Sequence, residues 1–171
     1  MQIMLSTFTM HLEDEPLDIG YASEKVVVAD IDDNAVEIGG HNGKTQLILT
    51  APFIDDALIE EYKEIVNSLP KDDQYEITTS IVVANKTHRN PNSEGVNFLV
   101  DKEKEFGDFY GVSLVGEPCH GELTKAAILV SKDGAVFYDE FAENLHDKFN
   151  IQMLLHKVVA AQNCYTGKGC H

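Results

Sequence analysis

The stretch Lys44–Pro70, KTQLILTAPFIDDALIEEYKEIVNSLP, leaves this chain few folds to choose from. Thr45–Thr50 (TQLILT) is a short run centred on Leu-Ile-Leu that reads as a buried strand. After Ala51-Pro52 the pattern changes. Asp55 or Asp56 is placed to cap a helix, and Ala57, Leu58, Tyr62, Ile65, Val66 and Leu69 then recur at helical spacing. Pro70 marks its end. A buried strand feeding an amphipathic helix is the unit of an α/β core.

The flanking sequence adds strands before this unit and alternating elements after it. Residues 3–10 and 17–20 are strand-like, with Glu13-Asp-Glu-Pro16 as the turn of an N-terminal hairpin. Lys25–Ala29 and Ala35–Ile38 form a second strand pair around Asp30–Asn34. Tyr75–Ala84 reads as a strand, residues 85–95 as a polar loop, and Val96–Val100 as a short strand. Lys102–Phe109 is expected to be a short helix, and Gly111–Glu117 extended. Thr124–Ser131 and Ala135–Phe141 pair across Lys132-Asp133-Gly134, where Asp-Gly is a strong hairpin signal. Phe149–Gln162 is the last helix. The order implies an α/β sandwich with a mixed sheet, a single domain over residues 1–162 and a tail at 163–171.

Charge narrows the classes of function. Of 171 residues, 13 are Lys or Arg and 29 are Asp or Glu, a net charge of −16. So acidic a surface repels nucleic acid and anionic membranes. It reads as solubility or, more sharply, as a docking surface for a basic partner. The longest apolar runs, such as Ala126–Val130, are too short to span a bilayer. The N-terminus lacks the basic start of a signal peptide, so a cytoplasmic location is expected. Cys119, Cys164 and Cys170 are odd in number and give no disulfide framework.

With these elements in order, the chain resembles the thiol peroxidases, the atypical two-cysteine peroxiredoxins of bacteria. The resemblance runs through FTMHLEDEPLDIG, VVVADIDDNAVEI and the strand–helix unit above, and is most specific in YGVSLVGEPCHGELTKAAILVSKDG, a loop–strand–turn matched in order. It implies a thioredoxin-like, peroxiredoxin-type α/β sandwich with an N-terminal β-hairpin extension. It also implies a site: Pro, Thr four residues later, the peroxidatic Cys three beyond, and a distant Arg. The thiolate attacks peroxide while Thr and Arg polarise it. Pro52 matches the Pro. Asp56 stands for the Thr, Ile59 for the Cys and Lys125 for the Arg, and the only arginine in the chain is Arg89, in a loop. No cysteine follows Ala84 where a resolving cysteine would fall. A carboxylate at 56 would raise a neighbouring thiol's pKa, the reverse of what peroxidase chemistry needs.

Three readings of function follow. The first is a redoxin without peroxidase chemistry, binding or regulatory, whose vacated pocket is formed by Pro52, Asp56, Ile59, Cys119 and Lys125. The second is a thiol-dependent oxidoreductase or antioxidant protein that uses Cys119 or the Cys164/Cys170 pair, with a thiol redox partner protein; His120 as an imidazolium would lower the Cys119 pKa. The third is a metal binder through Cys119, His120, Cys164, Cys170 and His171. No other cofactor is expected. The resemblance also implies a homodimer. Asp55, Asp56, Glu60 and Glu61 cluster at a helix N-terminus, where the macrodipole favours them without any function.

Overall fold

The strand–helix unit forms as read and lies at the centre of the molecule. The computed structural model of the chain describes residues 1–71 and 76–163. In chain order the elements are β1 (Gln2–Leu5), β2 (Phe8–Leu12), β3 (Val26–Ala29), β4 (Ala35–Ile38), β5 (Thr45–Thr50), α1 (Asp56–Ser68), β6 (Ile77–Val83), β7 (Val96–Val100), α2 (Glu105–Tyr110), β8 (Leu114–Val115), β9 (Ala126–Val130), β10 (Val136–Phe141) and α3 (Ile151–Asn163). Seven strands make the main sheet in the order β10-β9-β5-β6-β7-β3-β4, and β1-β2-β8 make a small second sheet. β5, β6 and β7 run parallel, while β9 and β10 are antiparallel to their neighbours, so the sheet is mixed.

Alternation along the central strands divides the core. Leu47 and Leu49 of β5 face the layer of α1 and α3, packing with Leu58, Tyr62, Ile65, Leu154 and Val158. Ile48 faces the other layer, with Val82, Ile128 and the α2 aromatics Phe106 and Tyr110. A strand covered on both faces has no polar side to show, so Leu47-Ile48-Leu49 run without alternation at its centre, and the polar Thr45, Gln46 and Thr50 are buried with them. Each fully buried aliphatic here is worth about 1.5–3 kcal/mol. A third apolar cluster under the small sheet joins Ile3, Met10, Leu12, Leu114, Leu145 and Cys119.

Two expectations are corrected. The N-terminal hairpin turns at Ser6-Thr7, with Ser6 at φ +53°, and pairs Gln2–Leu5 with Phe8–Leu12; residues 17–20 form no strand. The apolar run 3–10 conceals this turn because neither Ser6 nor Thr7 is a glycine or proline. The extended stretch 111–117 yields only two strand residues, Leu114–Val115. The Asp133-Gly134 turn is confirmed: Gly134, at φ +88°, donates its N–H to Ser131 O at 2.9 Å and sits so close to His41 that a Cβ would lie 2.8 Å from His41 N. The helix α3 reaches Asn163, and the rest of the tail lies outside the described residues.

Candidate functional site

The site grows from the β5–α1 junction. Ala51 and Pro52 are buried, and Phe53 and Ile54 are half-buried. Asp55 then caps the helix: its Oδ1 accepts from Leu58 N at 2.8 Å. This cap fixes the phase of α1, so Leu58, Glu61, Tyr62 and Ile65 face inward. Asp56 and Glu60 face solvent.

Glu61 is one of the four acidic residues that the helix macrodipole was expected to account for. It is instead buried, at 3% exposure, and holds the centre of the site. Lys125, just before β9 and equally buried, donates from Nζ to Glu61 Oε1 at 2.5 Å and to Asp147 O at 2.6 Å. Its ammonium lies 4.9 Å from the Phe149 ring centroid, a cation–π contact. Glu61 Oε2 accepts from Phe149 N at 2.8 Å. The pair is therefore closed on both sides, as a buried ion pair must be to offset its desolvation.

The sequence neighbours of the pair, Tyr62 on one side and Thr124 and Ala126 on the other, are joined through Thr50 of β5. Tyr62 donates its hydroxyl to Thr50 O at 2.6 Å. Burial, and then the Glu61 charge, push the Tyr62 phenol well above its ordinary range, so it remains a donor. Thr50 Oγ1 donates to Thr124 O at 2.6 Å and accepts from Ala126 N at 3.1 Å. Beside the pair lies a pocket of about 50 Å³ whose walls include Phe53, Asp55, Leu58, Leu145 and His146.

The residues expected around this pocket are only partly brought together. Lys125 lines it; Pro52, Asp56, Ile59 and Cys119 do not. Asp56 turns outward and accepts from Arg89 Nη2 at 2.7 Å, its side chain 94% exposed. Ile59 is half-buried and joins none of the three apolar clusters. Cys119 belongs to the same apolar cluster as Leu145, with Phe53 packed against that cluster, and Phe53 and Leu145 also wall the pocket.

Cys119 and His120 diverge. Cys119 is buried, while His120 is exposed and accepts through Nδ1 from Gly116 N at 3.2 Å. Burial first, then the Glu122 and Glu117 charges, push the Cys119 thiol up, opposite to the lowering expected from an adjacent imidazolium. Among the described residues no group of three or more His, Cys, Asp or Glu side chains could hold a metal ion. Cys164, Cys170 and His171, the remaining members of the thiol and metal sets, lie outside the described residues.

One further cluster escaped the sequence reading. The loop after β6 lies against the loop before β9: His88 Nε2 is 2.7 Å from Glu122 Oε2, and Asn85 Nδ2 donates to Glu122 Oε1 at 3.0 Å. With Arg89–Asp56, this ties the polar loop to the loop before β9 and to the first turn of α1. Nothing in the spacing of Asn85, His88 and Glu122 announces the contact.

The arrangement of strands, helices and N-terminal hairpin can now be compared with solved structures. A peroxiredoxin-like protein from Aquifex aeolicus superposes with a TM-score of 0.82 at 20% identity, covering 94% of this chain and 96% of that one. The fold is that of the peroxiredoxins. A thiol peroxidase from Chromobacterium violaceum follows at 0.76 and 16% identity, over 92% of this chain and 94% of the other. Mycobacterium tuberculosis AhpC reaches 0.63 at 13%, over 91% and 100%. No protein-family model matches the chain and no curated protein matches it by sequence. The peroxiredoxin fold is thus shared across the chain at identities too low to carry chemistry with it. Among the described residues no helix is long and apolar enough to cross a membrane.

Proposed function

We propose that this peroxiredoxin-fold chain does not reduce peroxides and acts as a binding or regulatory redoxin, cytoplasmic and homodimeric. One observation carries the reading: Lys125, the cation aligned with the peroxide-polarising Arg, is already neutralised by buried Glu61. An ammonium held by a carboxylate and a carbonyl has little left to offer a peroxide oxygen or a thiolate. The aligned positions on α1 agree, since Ile59 supplies no nucleophile and Asp56 no hydroxyl. Cys119 is a poor substitute, because a buried thiol with a raised pKa holds little thiolate near neutral pH.

The test is turnover of hydrogen peroxide and of an organic hydroperoxide with a thioredoxin reducing system. Rates indistinguishable from the protein-free control are expected. Turnover of about 1 per second or more, the ordinary enzyme range, would overturn the reading. Ile59→Cys alone should also stay inactive, because the cation remains engaged by Glu61. For the homodimer, sedimentation at high micromolar concentration should give a species of twice 19.0 kDa; a monomer there removes that part.

A further inference from the structure

The sheet has an opening along its β10 edge. At one end of this outer strand, Gly20 donates its N–H to Val136 O at 2.7 Å and Val136 donates to Tyr21 O at 2.9 Å. At the other end, Met4 donates to Glu143 O at 2.7 Å and Leu145 donates to Met4 O at 2.9 Å. Among the described residues no strand covers the edge between these contacts. The Ala142 N–H donates to Lys125 O at 3.1 Å, which sets the phase of the ladder with β9. Glu140 and Tyr138 share that phase, so the main chain of Asp139 and Phe141 faces outward.

A groove of about 710 Å³ lies beside this opening, between β10 and the segment from Glu15 to Tyr21. Its walls carry Glu15, Asp18 and Asp139 and no lysine, arginine or histidine; Met1 also lines it, so three carboxylates stand against at most the one amino group of Met1. Ile19 and Tyr21 stand open in it, 55% and 61% exposed. No described residue donates a hydrogen bond to the Asp18 or Asp139 side chain. Burial, and then the Asp18 charge, hold the Asp139 carboxyl above its ordinary range. The charge is unbalanced locally as well as over the whole chain. A second copy placed on this edge would bring further carboxylates into a chain already at −16.

We propose that this groove docks an extended basic segment of a partner protein. Its main chain adds a strand along Asp139–Phe141, a Lys or Arg side chain sits between Asp18 and Asp139, and an apolar side chain rests on Ile19 and Tyr21. This is separate from the pocket beneath α1 and does not depend on whether that pocket is catalytic.

The test uses the full chain and two labelled peptides, one alternating lysine and valine and its counterpart alternating glutamate and valine. The basic peptide should bind, more weakly as salt rises, with amide shifts centred on Asp139 and Phe141. Asp18→Asn with Asp139→Asn should weaken it by about tenfold, the sum expected from two partly exposed ion pairs. Both substitutions relieve repulsion and leave the fold in place, and Tyr21→Ala at an exposed position is an independent check that should also weaken binding. Equal binding of the glutamate peptide, unchanged affinity in both variants, amide shifts confined to other surfaces, or self-association through this edge would overturn the proposal.

Discussion

Two ion pairs leave the same helix within five residues of each other and differ in almost everything but length. Glu61–Lys125 is 2.5 Å long with both side chains 3% exposed, while Asp56–Arg89 is 2.7 Å long with side chains 94% and 54% exposed. In water the second gains little beyond the entropy spent ordering two side chains. In the interior the first cannot lose one member without stranding a charge. Asp56 is thus paired at the surface and Lys125 in the interior.

The largest effect expected is from breaking the inner pair. Lys125→Met should cost about 3–5 kcal/mol in urea unfolding, because Glu61 is left buried and unpaired. Adding Glu61→Leu should recover most of that loss. A single-variant cost below about 1 kcal/mol would mean that water reaches the pair, and the contrast with Asp56–Arg89 would collapse.

Cys119 sharpens the comparison as a buried group with no opposite charge. Its folded pKa is raised by burial, Glu122 and Glu117. The folded state thus holds the thiol proton more tightly than the unfolded one. The resulting stabilisation is fully present below the ordinary thiol pKa and is lost as pH rises through the raised value. Wild type should therefore lose stability on alkaline titration more steeply than Cys119→Ala. Alkylation of Cys119 in the native protein should be slow at neutral pH and rise only above the ordinary thiol range. Fast labelling at neutral pH would show that the pocket wall of Phe53 and Leu145 opens.

The His88–Glu122 pair lies between the extremes, with side chains 12% and 21% exposed. A double-mutant cycle with His88→Ala and Glu122→Gln should give a coupling of about 1 kcal/mol, between the surface and buried ranges. The smallest effect belongs to the outer pair. Arg89→Ala or Asp56→Ala should change stability by about 0–1 kcal/mol and vanish in about 1 M salt. A larger or salt-independent change would show that the loop after β6 depends on this contact for its position.

What the sequence determined was local. TQLILT had to be a covered strand, Asp55 or Asp56 had to start a helix, and Asp133-Gly134 had to turn a hairpin, because apolar content, capping and φ preference act within a few residues. That Ile59 carries no nucleophilic atom was also legible, whatever surrounds it. The N-terminal turn at Ser6-Thr7 was not legible, because pairing with the rest of β1–β2 and the contacts of Met4 with residues 143–145 decide where that chain reverses. Tertiary structure alone made Glu61 a buried partner and Glu60 a solvated charge. The helical spacing of Leu58 and Ile65 placed Glu61 on their face, but only Lys125, arriving just before β9 and sixty-four residues later in the chain, made a carboxylate tolerable there. Two charges so far apart in sequence carry no local signature of their meeting, and the low dielectric that makes the pair obligatory exists only once the sheet and helix have closed over it.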